Sequence, residues 1–195
     1  MNIDDFFCYY KEKTIPVYAD FIAVAGYKPE QILIEESNAL AHIGQYFNLS
    51  ISQKERVANL QKAINHLHRL TLDLHKLVWY ETSIILDVVV LSNKKRLAFN
   101  ISDSEIFNKY SDFIAGARKM RAFELNNIGC DLEAVAKEYD KVNIIGKELL
   151  ENLDQIKLAT IEKWEKWLTP KSFIISSIAA FVIGLLANYA SKCLF

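Results

Sequence analysis

From Ser172 to Ser191 the chain reads SFIISSIAAFVIGLLANYAS, twenty residues without one charged side chain. At 1.5 Å per residue a helix of that length is about 30 Å long, the thickness of the hydrocarbon core of a bilayer. A charge at mid-bilayer costs roughly 2.5–3.5 kcal/mol on insertion, so their complete absence constrains this segment more than any other. The segment is expected to form a single transmembrane helix. A buried helix in a soluble bundle is the other reading, but such helices are seldom uncharged on every side over this length. Ser176, Ala180, Gly184 and Ala187 are small and recur at helical spacing, a stripe that lets membrane helices approach and self-associate. Ordinary lipid-facing small residues would give the same pattern.

The flanks fit a membrane boundary. Trp164 and Trp167 precede the run and Lys171 adjoins it, residue types that anchor at the interface, and Pro170 separates the run from the preceding helix. Lys157, Lys163, Lys166 and Lys171 crowd the N-terminal side, whereas Lys192 alone follows. The positive-inside rule then places the larger N-terminal part in the cytoplasm. The expected organisation is a cytoplasmic helical bundle over 1–168 and a C-terminal anchor over 169–195. The N-terminus, MNIDDFFCYYKEK, lacks the basic start and apolar run of a signal peptide.

Charge is balanced, with 23 basic and 24 acidic residues interspersed, so direct nucleic-acid binding is not expected. Six glycines and three prolines give too little turn chemistry for an all-β fold. Cys8, Cys130 and Cys193 are far apart and odd in number; they form no disulfide framework or zinc pattern and read as buried reduced thiols.

Three long segments carry helical periodicity, which makes the expected fold all-α: an antiparallel helical bundle with long coiled-coil-like helices. Ser52-Gln-Lys-Glu55 is a capping box, and Val57, Leu60, Ile64, Leu67, Thr71, Leu74 and Val78 follow it in steps of three and four. The apolar run Ile84–Leu91, interrupted by Asp87, reads as the buried end of that helix, closed by Asn93-Lys-Lys-Arg96. A second capping box, Ser102-Asp-Ser-Glu105, precedes Ile106, Tyr110, Phe113, Ala117 and Met120, with Gly129 as C-cap. The third segment runs unbroken from about Asp131 to Trp167 on the stripe Leu132, Val135, Tyr139, Val142, Gly146, Leu149, Leu153, Ile156 and Thr160. Shorter helices are expected at about 4–12, 16–25 and 29–47, with Gly26 and Pro29 marking the join. Lys94-Lys-Arg96 reads as compensation of a helix C-terminus, with anionic lipid or nucleic acid as the other possible contact.

No phosphate-cradling loop, nucleophile elbow or HExxH is present. The histidines fall at 42, 66, 68 and 75; His66 and His68 lie two apart on a helix, pointing about 160° from each other, and do not share a metal. No cofactor and no metal are expected.

Ser37–His42, Lys62–Asp73 with Lys76, and Ala117-Arg118 with Glu124 and Gly129 resemble small helical bacterial proteins of the HEPN superfamily, over roughly residues 30–145. Ribonucleases of that superfamily carry an Arg, four to six residues, then a His, and Arg69 and His75 match that spacing. The resemblance implies that Arg69 would stabilise a scissile phosphate and His75 assist proton transfer, usually across a dimer. Leu70 stands where that motif has a polar residue, and six steps on an ideal helix turn through about 240°, so the two side chains converge only where the helix ends or bends. An ordinary Arg and His on a bundle helix, beside Asp73 and Lys76, is the plainer reading.

The whole layout is similar to the transmembrane effectors that accompany bacterial retron and cyclic-nucleotide anti-phage systems. That similarity implies a membrane effector or toxin held off by a cytoplasmic regulatory partner, self-associating through its membrane helix and acting on the inner membrane once released. A membrane-tethered HEPN-like ribonuclease and a non-enzymatic tail-anchored scaffold are the alternatives.

Overall fold

The computed structural model describes residues 2–126, 131–167 and 174–183. In chain order these form α1 (Ile3–Tyr9), a π-turn (Tyr10–Thr14), α2 (Ile15–Ala25), α3 (Glu30–Phe47), α4 (Gln53–Val90), a 3₁₀ turn (Lys95–Ala98), α5 (Asp103–Asn126), α6 (Leu132–Glu151) and α7 (Gln155–Trp167). Residues 174–183 are helical as well. Gly129, Cys130, Cys193, Pro170, Lys171, Gly184, Ala187 and the ends of the 172–191 run lie outside the described residues. The fold is all-α, as the periodicities require.

The capping box at Ser52 closes from both sides: Ser52 N–H donates to Glu55 Oε2 at 2.9 Å and Glu55 N–H to Ser52 Oγ at 3.3 Å. It starts the 38-residue α4, about 57 Å of helix. An equivalent box at Asn2 and Asp5 starts α1; the sequence reading passed over it. Two expected helices, at 4–12 and 16–25, run on as one rod through the π-turn. Pro16 has no N–H to donate and its ring crowds the carbonyl four residues back, at Glu12, where the widened turn lies. Gly26, at φ 74°, ends that rod in the left-handed conformation, its N–H bonded to Ile22 O at 2.9 Å.

Cross-helix bonds fix the directions. Glu35 meets His66 and His42 meets Asn59, so α3 and α4 are antiparallel. Lys76 meets Glu124 and Asp87 meets Tyr110, so α4 and α5 are antiparallel. Lys109 meets Glu148 and Gly116 lies against Val142, so α5 and α6 are antiparallel too. Thr14 bonds Thr71 and Tyr27 bonds Glu81, which sets α2 parallel to α4. The helices thus alternate in direction from α2 to α6.

α4 is the spine of the core. Its first half buries Leu60, Ala63, Ile64 and Leu67 against Phe6, Ala39 and Ile43. Its middle buries Leu70, Leu74 and Val78 against Val17, Phe21 and Ile32. Its last turns place Leu86, Val89 and Val90 among Ile106, Phe113, Val135 and Leu149. The stripe read from the sequence holds from Leu60 to Val78, but Val57 is exposed. The run Ile84–Leu91 is buried on one side only: Ile84, Val88 and Leu91 face outward. Arg96 closes the helix, as the sequence suggested, by donating from Nη1 to Val90 O at 2.8 Å.

The third segment is not one helix. It breaks at Asn152–Asp154, where Leu153 pairs with Phe99 in an isolated antiparallel bridge. Asn100 N–H donates to Asn152 O and Asp154 N–H to Ala98 O, each at 2.9 Å. Asp154 then caps α7, accepting from Ile156 N–H and Lys157 N–H at 3.0 Å. The break turns the stripe: Ile156 and Thr160 are exposed, and Leu158 and Ile161 face the core in their place. Cys8, expected to be buried, is exposed on α1.

Candidate functional site

α4 runs straight through Arg69 and His75, so the two side chains diverge and line different cavities. His75 is buried beneath α2 and α6 at a cavity of about 180 Å³ that Tyr9, Asp20 and Asp140 also line. Asn143 Nδ2 donates to His75 O at 2.9 Å and lies 3.5 Å from His75 Nδ1; Asp140 Oδ1 is 3.8 Å from that nitrogen. Burial pushes the His75 pKa below the ordinary histidine value, with Lys147 acting the same way and Asp140 and Asp20 opposing. The imidazole is therefore neutral at pH 7 and serves the packing between α4 and α6. Within one chain, Arg69 and His75 are not brought to a common reacting atom.

Arg69 faces an open cleft of about 1140 Å³ where the end of α5 and the start of α6 part from α4. Four cationic side chains line it: Arg69 and Lys76 from α4, Arg118 and Arg121 from α5. Two carboxylates, Glu124 and Asp131, oppose them. Lys76 is engaged, bonding Glu124 at 2.6 Å and lying 3.5 Å from Asp73. Among the described residues Arg69, Arg118 and Arg121 have no carboxylate within ion-pair distance. Trp79, Tyr80 and Tyr139 supply aromatic wall. Trp79 Nε1 and His68 Nε2 are buried in that wall with no hydrogen-bond partner, and an unsatisfied buried polar atom costs about 1–3 kcal/mol. Of this group Arg69, Lys76, Arg118 and Glu124 belong to the stretches that carry the sequence resemblance. The available signal for Arg121 was its spacing from Arg118, three residues along one helix face.

The His68 ring packs against the Tyr9 ring, 4.6 Å between centroids and tilted by 43°. Burial lowers its pKa, opposed by Glu133 and Asp131 at the start of α6. His68 and His75 therefore titrate in the unfolded chain near pH 6.5 and only at lower pH when folded. Between those limits the unfolded state binds more protons, so stability is complete above about pH 6.5 and falls as the medium is acidified. Asp73, whose pKa burial raises, works the other way only in the carboxylate range. Thermal melts from pH 7.5 downward should show Tm beginning to fall near pH 6.5, and His75→Gln should flatten that slope. A Tm constant from pH 7 to pH 5 would contradict a lowered pKa at both histidines.

At the other end, α7 rests on the 3₁₀ turn through Lys95 and Glu162, 3.0 Å apart. Trp164 and Trp167, expected as interface anchors, are exposed on it. Residues 174–183 are exposed at every position. Six large apolar side chains are exposed there, Phe181 at 68% and Ile178 at 59% among them. Ser176 and Ala180 share one face of this helix; Gly184, Ala187 and Lys171 lie outside the described residues. Among the described residues no helix is long and apolar enough to cross a membrane. No group of three or more His, Cys, Asp or Glu side chains is placed to hold a metal ion among them.

No family model matches the chain, and no curated protein or solved structure matches it.

Proposed function

We propose that the protein is a membrane-anchored effector: a cytoplasmic helical bundle carrying a C-terminal apolar helix that acts on a bacterial inner membrane once a regulatory partner releases it. The supporting observation is the helix at 174–183, whose large apolar side chains are exposed all round. At about 1.5–3 kcal/mol for each large apolar side chain removed from water, Ile174, Ile175, Ile178, Phe181, Val182 and Ile183 leave on the order of 10 kcal/mol unrealised in aqueous solvent. Lipid supplies that burial without any partner protein, and the uncharged run from 172 to 191 is long enough to span. The step from anchor to effector rests on the small residues Ser176, Ala180, Gly184 and Ala187 and on the similarity of layout. No observation favours the ribonuclease reading, since Arg69 and His75 open on separate cavities.

The test compares the full chain with a truncation after Thr169, each expressed in bacteria. The full chain is expected to stay with membranes through an alkaline carbonate wash and to collapse membrane potential when its partner is absent. The truncation should be recovered in the soluble fraction and leave the potential intact. Ala180→Ile with Gly184→Ile should remain in the membrane and lose the toxicity. A full chain that washes off, or one that leaves growth and potential untouched in every condition, overturns the corresponding half of the reading.

A further inference from the structure

We propose that the cleft between α4, α5 and the start of α6 binds a small organic anion that combines a phosphate-type group with a planar ring. This stands independently of the membrane reading, since it concerns only the bundle.

Three observations meet in this cleft. The first is charge without partners. Arg118 and Arg121 from α5 and, further along, Arg69 from α4 line one elongated cavity, and no described carboxylate pairs with any of them. Like charges gathered without counter-charge repel, and a guanidinium cluster is relieved best by the planar, multidentate oxygens of a phosphate-type anion. Lys76 is held back for its own carboxylates, which leaves the arginines as the binding groups.

The second is the aromatic wall. Trp79, Tyr80 and Tyr139 lie along the same cleft, and ring faces beside guanidinium groups suit a flat, delocalised body by stacking and cation–π attraction. An inorganic anion would use the arginines and leave this wall idle.

The third is the pair of orphaned polar atoms. Trp79 Nε1 and His68 Nε2 sit in the wall with no hydrogen-bond partner. A polar ring edge beside Trp79 supplies a partner for Nε1; His68 lies eleven residues, about 16 Å, back along α4, beyond the reach of the same ring. The cavity, about 1140 Å³ and open on one side, has room for such a molecule. Glu124 is held by Lys76, and Asp131 stands against three arginines, so the cleft keeps a net positive charge for an anion.

The experiment uses the full chain in detergent micelles with Trp164→Phe and Trp167→Phe, which leaves Trp79 as the single tryptophan of the three. Its fluorescence is titrated with AMP, ATP, flavin mononucleotide, pyridoxal phosphate, adenosine, pyrophosphate and an unstructured oligonucleotide. At least one ring phosphate is expected to quench Trp79 with saturation and to bind ten-fold or more tighter than both adenosine and pyrophosphate. The pattern among the ring phosphates then distinguishes a nucleotide from another phosphorylated ring. Arg118→Ala with Arg121→Ala should weaken that binding at least ten-fold while the far-UV spectrum and Tm stay unchanged, because both side chains are exposed. Pyrophosphate binding as tightly as every ring phosphate would remove the ring from the proposal. Binding of the oligonucleotide alone would assign the cleft to a polymer and overturn it. So would saturation by none of the probes, or affinity that survives the double arginine substitution.

Discussion

Gly146→Val should destabilise the bundle by about 3 kcal/mol or more, a large part of the ~5–15 kcal/mol that holds a typical domain together. Gly146 lies on the buried face of α6, where α6 passes close to both α4 and α5. A Cβ built there would stand 2.7 Å from Phe113 Cε2 and 2.9 Å from Thr82 Cγ2. Phe113 is fully buried and Thr82 nearly so, so neither ring nor methyl can retreat without moving a helix. Helix propensity alone favours Ala over Gly by about 1 kcal/mol, and that gain is too small to offset overpacking of about 1–3 kcal/mol. Gly146→Ala should therefore also be destabilising, by less than Val. Phe113→Leu in the Gly146→Ala background should recover part of the loss by vacating the space the new methyl needs. Urea unfolding of the two single variants and the double would give a coupling of the order of 0.5–3 kcal/mol. An Ala variant as stable as the parent, or strictly additive losses, would show that the contact is looser than the distances indicate.

That contact also marks where sequence reading stops. Gly146 fell on the apolar stripe of α6 by spacing alone, and spacing does not distinguish a small residue that permits close approach from one that merely fills a turn. The same holds for the break at Asn152. The stripe from Leu132 to Leu153 is correct, but extending it to Thr160 ignored an Asn–Leu–Asp sequence whose side chains cap one helix and begin the next. Periodicity reports which face is buried and is silent on where the axis turns. The capping box at Ser52 was legible because both partners lie within one turn. The arginine cleft was not, because Arg69, Arg118 and Arg121 come to line one cavity only after α4 and α5 have folded back on each other. The spacing of Arg69 and His75 suggested a shared site, and the uninterrupted axis of α4 rotates them apart.

Arg96→Ala should cost about 2–3 kcal/mol and should loosen α7 more than it loosens the core. One guanidinium does several jobs at the turn after α4. Nη1 donates to Val90 O at 2.8 Å, satisfying one of the carbonyls a helix end leaves without a partner. Nη2 donates to Asn93 Oδ1 at 2.7 Å, and Nε reaches Asp103 Oδ2 at 3.4 Å in the first turn of α5. The group also lies over the Phe107 ring, 4.7 Å from its centroid. A hydrogen bond from a charged donor contributes about 1.5–3 kcal/mol and a cation–π contact of this kind about 0.5–1; sharing one side chain keeps the total below the sum. Lys cannot reproduce a fork with several donors, so Arg96→Lys should recover less than half. The wider consequence follows from connectivity. The turn that Arg96 shapes holds Ala98, whose carbonyl accepts Asp154 N–H at the start of α7, and Lys95, which pairs with Glu162 further along it. Those contacts seat α7, and no α7 side chain is fully buried in support. Amide exchange in Arg96→Ala should therefore accelerate across Gln155–Trp167 beyond the change in global stability, while amides in the middle of α4 follow the global change alone. Equal acceleration in both regions would mean that α7 is seated by something other than this turn.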